Sequence, residues 1–131
     1  MGTIEQEIEK ARASLLSELM GDFHQRQIKI LDTMLRILKG QPRPVKHDRK
    51  NPKPVKDWEK DEWLAKLKEE LREVENAKGN NERAKELSDL ITVATSWQNA
   101  MGYDFTWRLE IQQATNEKND SRGAFRGDSD K

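Results

Sequence analysis

All four prolines of this chain, Pro42, Pro44, Pro52 and Pro54, fall within one short stretch. Proline lacks a backbone donor and clashes with the preceding helical turn, so no continuous helix can cross that stretch. On either side of it apolar residues recur at three- and four-residue steps, and no strand-like alternation persists beyond three or four residues. The pattern predicts an all-α chain, a helical bundle with a break near its middle. Before the break, a helix is expected over about residues 3–20, capped by Thr3, with Ile4, Ile8, Ala11, Leu15 and Leu19 inward. Gly21 would end or kink it. A second helix is expected from Asp22 to Lys39, with Ile28, Leu31, Leu35 and Leu38 inward and Gly40 as its stop. After the break come two strongly patterned helices, 59–77 and 82–101, joined by the turn residues Lys78-Gly79-Asn80-Asn81. Gly102 ends the second, and Asp104 can cap a last helix over 105–119. The expected division is therefore helices at 1–40, a connector at 41–57, a core at 58–125 and a polar tail at 126–131.

Charge decides what kind of helices these are. Charged residues make up 37% of the chain and mean hydropathy is −1.04, but 24 basic residues balance 24 acidic ones. Balanced charge with few large apolar residues fits amphipathic helices with thin core stripes and wide solvated faces. Such a core is small, and association with further copies would enlarge it. There is no apolar run of membrane-spanning length and no leader-like N-terminal segment, so the expectation is a cytoplasmic protein with no membrane partner. With no cysteine, disulfide and thiol chemistry are excluded. No P-loop, G-x-S-x-G or Rossmann glycine pattern occurs, which argues against Walker-type nucleotide binding and serine catalysis.

The proline stretch is also the basic one. Residues 39–56 hold Lys39, Arg43, Lys46, Arg49, Lys50, Lys53 and Lys56 against Asp48 alone, a net charge of +6. One reading is an extended connector kept in water by its charge; the other is a basic arm or lid over a polyanion.

The acids are gathered elsewhere. Glu69, Glu70 and Glu73 precede the Lys78–Asn81 turn, and Glu86 and Asp89 follow it. In an antiparallel helical hairpin, residues whose numbers share one sum lie level; 73 with 86 and 70 with 89 share the sum 159, which centres the turn between Gly79 and Asn80. At 100° per residue, Leu64, Leu67, Leu71 and Val74 form one arm's stripe; Leu87, Leu90, Ile91, Ala94 and Met101 form the other's. Glu70, Glu73, Glu86 and Asp89 flank those stripes on the same hand, so they are expected to converge. Carboxylates gathered there repel unless a cation compensates them, and an all-oxygen site favours a hard ion, Mg²⁺ first and Mn²⁺ second. Magnesium commonly keeps open positions for phosphate oxygens, so the site suggests phosphate chemistry. The same residues also suit a solvated, salt-bridged hairpin, with Lys66–Glu70 and Lys85–Asp89 as i,i+4 pairs and Glu69–Arg72 as an i,i+3 pair.

The order E-E-x-x-E, twelve residues, E-x-x-D resembles the signature of the all-α nucleoside triphosphate pyrophosphatase superfamily. That group comprises MazG-like proteins, phosphoribosyl-ATP pyrophosphohydrolases and dimeric dUTPases. Lys118-Asn119-Asp120-Ser121-Arg122-Gly123 is similar to the basic K-N-x-x-R-G ending of small MazG-like proteins, so the likeness spans about residues 58–125. The resemblance implies that Glu69, Glu70, Glu73, Glu86 and Asp89 include the magnesium ligands and a water-activating carboxylate. Glu69, furthest round from the apolar stripe, is the one best suited to a supporting role. It further implies that Lys118, Arg122 and Asn119 bind substrate phosphates, and that neighbouring subunits of a homodimer or homotetramer complete the site. The reaction implied is Mg²⁺-dependent hydrolysis of a nucleoside triphosphate to monophosphate and pyrophosphate. The long connector and the first helix match nothing in that family.

Four tryptophans are many for so polar a chain. Trp58 and Trp63, where the basic stretch meets the acidic helix, could each stack on a nucleobase. For both, and for Trp97, packing in a core or interface is the stronger reading. His24 and His47 have no partner at metal-ligand spacing. The rival to an enzyme is a helical binding module whose 39–56 segment holds nucleic acid or an acidic partner; a scaffold with neither activity is the third possibility. With the acidic motif weighed in, nucleic acid is the less favoured partner.

Overall fold

The structure is a computed structural model that describes residues 3–17 and 22–127. Among the described residues there are five α-helices, one 3-10 turn and no strand. The helices are α1 (Ile4–Ser17), α2 (Asp22–Lys39), α3 (Lys60–Asn76), α4 (Asn80–Ala100) and α5 (Phe105–Ser121); the 3-10 turn is Val55–Asp57. The chain divides into two compact units, Met1–Gln41 and Pro42–Lys131. No helix among the described residues is long and apolar enough to cross a membrane. Leu19, Gly21 and residues 128–131 of the expected tail lie outside the described residues.

The first unit is α1 packed on α2. Thr3 caps α1 in a reciprocal box: Gln6 N–H donates to Thr3 Oγ1 at 3.1 Å, and Thr3 N–H donates to Gln6 Oε1 at 2.9 Å. Ile8 and Leu35 are buried between the helices. The charges of the two helices meet as opposites, Arg12 with Asp32 and Lys39 with Glu9. The apolar arc of α2 is wider than one neighbour covers, so Ile30, Met34 and Ile37 stay exposed.

The second unit is built on α3 and α4. Gly79, at φ +91°, makes the turn between them; a side chain there has room, so the requirement is the backbone angle alone. Arg83 then caps α3 from α4, donating from Nη2 to Ala77 O at 2.9 Å and from Nε to Val74 O at 3.3 Å. At the other end of the pair, Trp63 stacks on Trp97 with ring centroids 6.1 Å apart, and Val55 and Val93 join them in the core. Gly102 at φ +99° ends α4, and Asp104 accepts from Trp107 N–H to cap α5. Arg108 ties α5 to this corner, donating to Asn99 Oδ1 of α4 and to the Tyr103 carbonyl of the turn, and none of the residues of α5 is buried.

Two expectations are corrected here. The 42–57 segment keeps most of its side chains in water, as a charged connector would, but it is not a free arm: it is a strap tied onto α3 and α4. Val45 N–H donates to Ser96 Oγ at 2.9 Å, and Val55 is buried in the core. Nor is the stripe of α4 the expected one: Leu87, Ile91 and Met101 are exposed, whereas Val93 and Ser96 are buried. The strap supplies the reason. It adds a third wall that the two-helix wheel treated as water, and both inward faces turn toward it. Trp63 is thereby drawn into the core while Leu71 is left exposed.

Candidate functional site

Three of the expected acids converge. Glu70 of α3 and Glu86 and Asp89 of α4 each offer a carboxylate oxygen, all within 4.8 Å of one another. Such a set of hard oxygen donors suits a cation such as Mg²⁺ or Mn²⁺. Glu86 bears the strain of this grouping. It is half-buried, and the lost hydration, with Asp89, Glu73, Glu70 and Glu82 nearby, holds its carboxyl above the usual glutamate value. Glu73 is thus close enough to act on Glu86, although it is not one of the three that converge.

A second set of charges meets the three on the α3 side, at Glu70. Lys66, one turn before Glu70, lies 3.4 Å from Glu70, 3.6 Å from Glu69 and 3.0 Å from Asp48 of the strap. Burial alone would lower this ammonium, but hydrogen bonds and charge from Asp48, Glu69 and Glu70 raise it instead. Lys50 of the strap donates to Glu69 at 2.8 Å, and that hydrogen bond holds the Glu69 carboxyl below its usual value. Further along, Glu62 accepts from Lys53 at 2.7 Å and from Asn51 at 2.8 Å, and is likewise held low. Of the three local pairs expected from spacing, Lys66–Glu70 forms, while Lys85–Asp89 and Glu69–Arg72 do not form among the described residues.

Asp48, Lys66 and Ser96 are the residues that sequence reasoning missed as structural partners of the site. Asp48 had a signal, as the only acid in a strongly basic stretch. Lys66 was visible only as a helix-surface pair, and nothing in the sequence marks Ser96 as the anchor for the strap.

The remaining expected residues stand apart from the acids. Trp63 is 2% exposed, with Trp97 stacked against it and Trp58 edge-on at 4.9 Å. It is a core residue with no open face for a nucleobase, which corrects the stacking role considered for it. Trp58 is half-buried, donates from Nε1 to Lys53 O at 3.0 Å and lines an open groove of about 520 Å³. The same groove is lined by Glu69 and by Lys66, which pairs with Glu70, although none of the three converging acids lines it. Lys118 and Asn119 lie in the last turn of α5 and Arg122 caps it. Their bonds in this region are local: Ser121 Oγ and Arg122 N–H both donate to Lys118 O, and Ala124 N–H donates to Asn119 O. No contact among the described residues joins them to the acids.

The protein-family models, the curated proteins and the solved structures offer no match to this chain.

Proposed function

We propose that the chain is a MazG-like, Mg²⁺-dependent nucleotide pyrophosphohydrolase of the cytoplasm, splitting a nucleoside triphosphate between its α- and β-phosphates. One observation carries this reading: Glu70, Glu86 and Asp89 stand within 4.8 Å of one another across two helices, at the cost of mutual repulsion. Both arms contribute to that convergence, as expected of an antiparallel acidic hairpin.

In this reading Glu70, Glu86 and Asp89 hold the ion, and Glu73 is poised beside them as a further ligand or as the group that orients the attacking water. Bound magnesium would neutralise phosphate oxygens and lower the pKa of water. Glu69, drawn to Lys50 and Lys66, is a poor base and serves to fix the strap and Lys66. Lys66 offsets negative charge at the edge of the cluster. The groove beside it, with Trp58 in its wall, is of a size to take a nucleotide.

Lys118, Asn119 and Arg122 would meet the phosphates from a neighbouring subunit of a homodimer or homotetramer. The sparse packing of α5 on α4 and the exposed Leu87, Ile91, Met101, Trp107 and Leu109 support such an assembly.

The test is a panel of nucleoside triphosphates incubated with and without Mg²⁺ or Mn²⁺. Monophosphate and pyrophosphate should appear only with metal. Orthophosphate release in their place, or no turnover of any member, overturns the reading. Lys118→Ala and Arg122→Ala should raise KM for the triphosphate with kcat little changed.

A further inference from the structure

The four lysines of the strap fall into two groups. Lys50 and Lys53 are bonded to Glu69 and Glu62 of α3. Lys46 and Lys56 are exposed and have no ion pair among the described residues. Both line a recess of about 330 Å³ between the strap and the last turns of α4.

The recess is formed where the strap doubles back on itself. Val55 N–H donates to Lys46 O at 3.3 Å, which holds the two limbs together, and Val45 N–H on Ser96 Oγ fixes one limb to α4. Its walls are Pro44, Val45, Pro54, Val55 and Ala100, with His47 also at the lining, and no carboxylate lines it. Asn99 also lines it; the Asn99 Oδ1 accepts from Arg108 Nη1 at 3.1 Å, which leaves its amide NH2 as a donor. Largely apolar walls with two unneutralised ammonium groups, the His47 imidazole and one neutral amide donor form a site of definite chemistry. An anion is attracted by the lysines, and a low-dielectric wall strengthens that attraction.

We propose that this recess is a second ligand site, taking a small amphipathic anion: one ring or short chain with a single phosphate or carboxylate. The volume lies at the lower end of the roughly 300–1,000 Å³ usual for ligand pockets, which suits one ring and its charged group rather than a polymer. The site is independent of the acidic cluster. Ala100 lies eleven residues beyond Asp89 on the same helix, about 16 Å along the axis.

The experiment is an amide NMR titration of the full chain with phenyl phosphate in the presence of EDTA, which removes any divalent ion from the acids. Saturable shifts are expected at residues 45–47, 55–56 and 96–100. A Lys46→Ala/Lys56→Ala double variant should weaken binding by at least about tenfold, since two charge-assisted contacts are lost. Ala100→Phe, which fills the recess while leaving the lysines in place, should weaken it too. Benzyl alcohol, with the ring but no charge, and inorganic phosphate, with the charge but no ring, should each bind more weakly than phenyl phosphate. Equal binding by either of them overturns the proposal, as does unchanged affinity in the lysine variant. Shifts spread over Arg43 and Arg49 instead of the recess also overturn it.

Discussion

The chain contains two helix pairs, and they treat charge in opposite ways. Between α1 and α2 the partners across the helices are opposites, Arg12 with Asp32 and Glu9 with Lys39. Between α3 and α4 they are alike, Glu70 with Glu86 and Asp89. Opposite charges at a half-exposed helix edge need no further explanation; they contribute little and cost little. Like charges brought together are unfavourable, and the second pair tolerates them because its stability comes from elsewhere. Trp63, Trp97, Val93 and Val55 form its core, and the strap adds a web of ion pairs along α3. A pair of helices that holds its acids against their own repulsion is the one in which to look for a ligand.

The largest expected effect sharpens that contrast. Glu70→Gln and Asp89→Asn should each lower triphosphate turnover by at least about a hundredfold while the melting temperature is kept, because each removes a ligand from a site others rely on. The matched change in the other pair, Asp32→Asn, should leave turnover intact. Steady-state kinetics beside thermal melts would separate the two, and equal activity in all three variants would erase the distinction.

Next in size is the core. Trp63→Ala should cost about 3–5 kcal/mol in denaturant unfolding, the usual loss for a buried aromatic side chain. It should also release the strap, read as loss of amide protection at Val45 and Val55. Retained protection there would mean that the ion pairs, and not the core, hold the strap.

A smaller effect concerns Glu86. Its folded pKa lies above the ordinary 4.5, so it weakens the fold once ionised in both states, and that penalty is lost as pH falls through the raised value toward 4.5. Glu86→Gln should therefore raise the melting temperature at neutral pH, with the gain shrinking as acid protonates the wild-type side chain. Glu62 and Glu69 have lowered values and act in reverse: their support is present above about pH 4.5 and is lost as pH falls through their folded pKa. Mg²⁺ should raise the wild-type melting temperature and leave the Glu86→Gln variant nearly unmoved. A melting temperature that Glu86→Gln lowers at neutral pH would contradict the repulsion argument.

The smallest effect lies in the first pair. Arg12→Ala should cost no more than about 1 kcal/mol, because the Arg12–Asp32 bridge is more than a third exposed at both ends. A loss several times larger, measured by urea unfolding, would show that this pair too depends on its charges.

The helices themselves were legible in the primary structure, for reasons that are local. The second helix runs from Asp22 to Lys39 as the periodicity predicts, Asp104 caps α5, and Gly79 and Gly102 adopt the positive φ that turns and helix ends require. Within the acidic hairpin, helical spacing was enough to bring Glu70, Glu86 and Asp89 to one flank, since a short turn leaves little freedom in register. Glu73 is the exception. It shares that flank, yet is not among the three whose oxygens converge.

What spacing could not reveal is how an irregular segment folds back. Fifteen or so residues with four prolines carry no period from which a contact can be read. Val55 in the core, Ser96 beneath Val45, and Asp48 on Lys66 arise from pairings between residues far apart in the chain. Those pairings turned the inner faces of α3 and α4, buried Trp63 and exposed Leu87 and Ile91. Helix positions, caps and the flank that carries the acids follow from interactions within a few residues, so the amino-acid order alone determined them. The strap, the inward face of each helix and the recess beneath Lys46 and Lys56 depend on which surfaces meet across the fold, and only tertiary packing decided them.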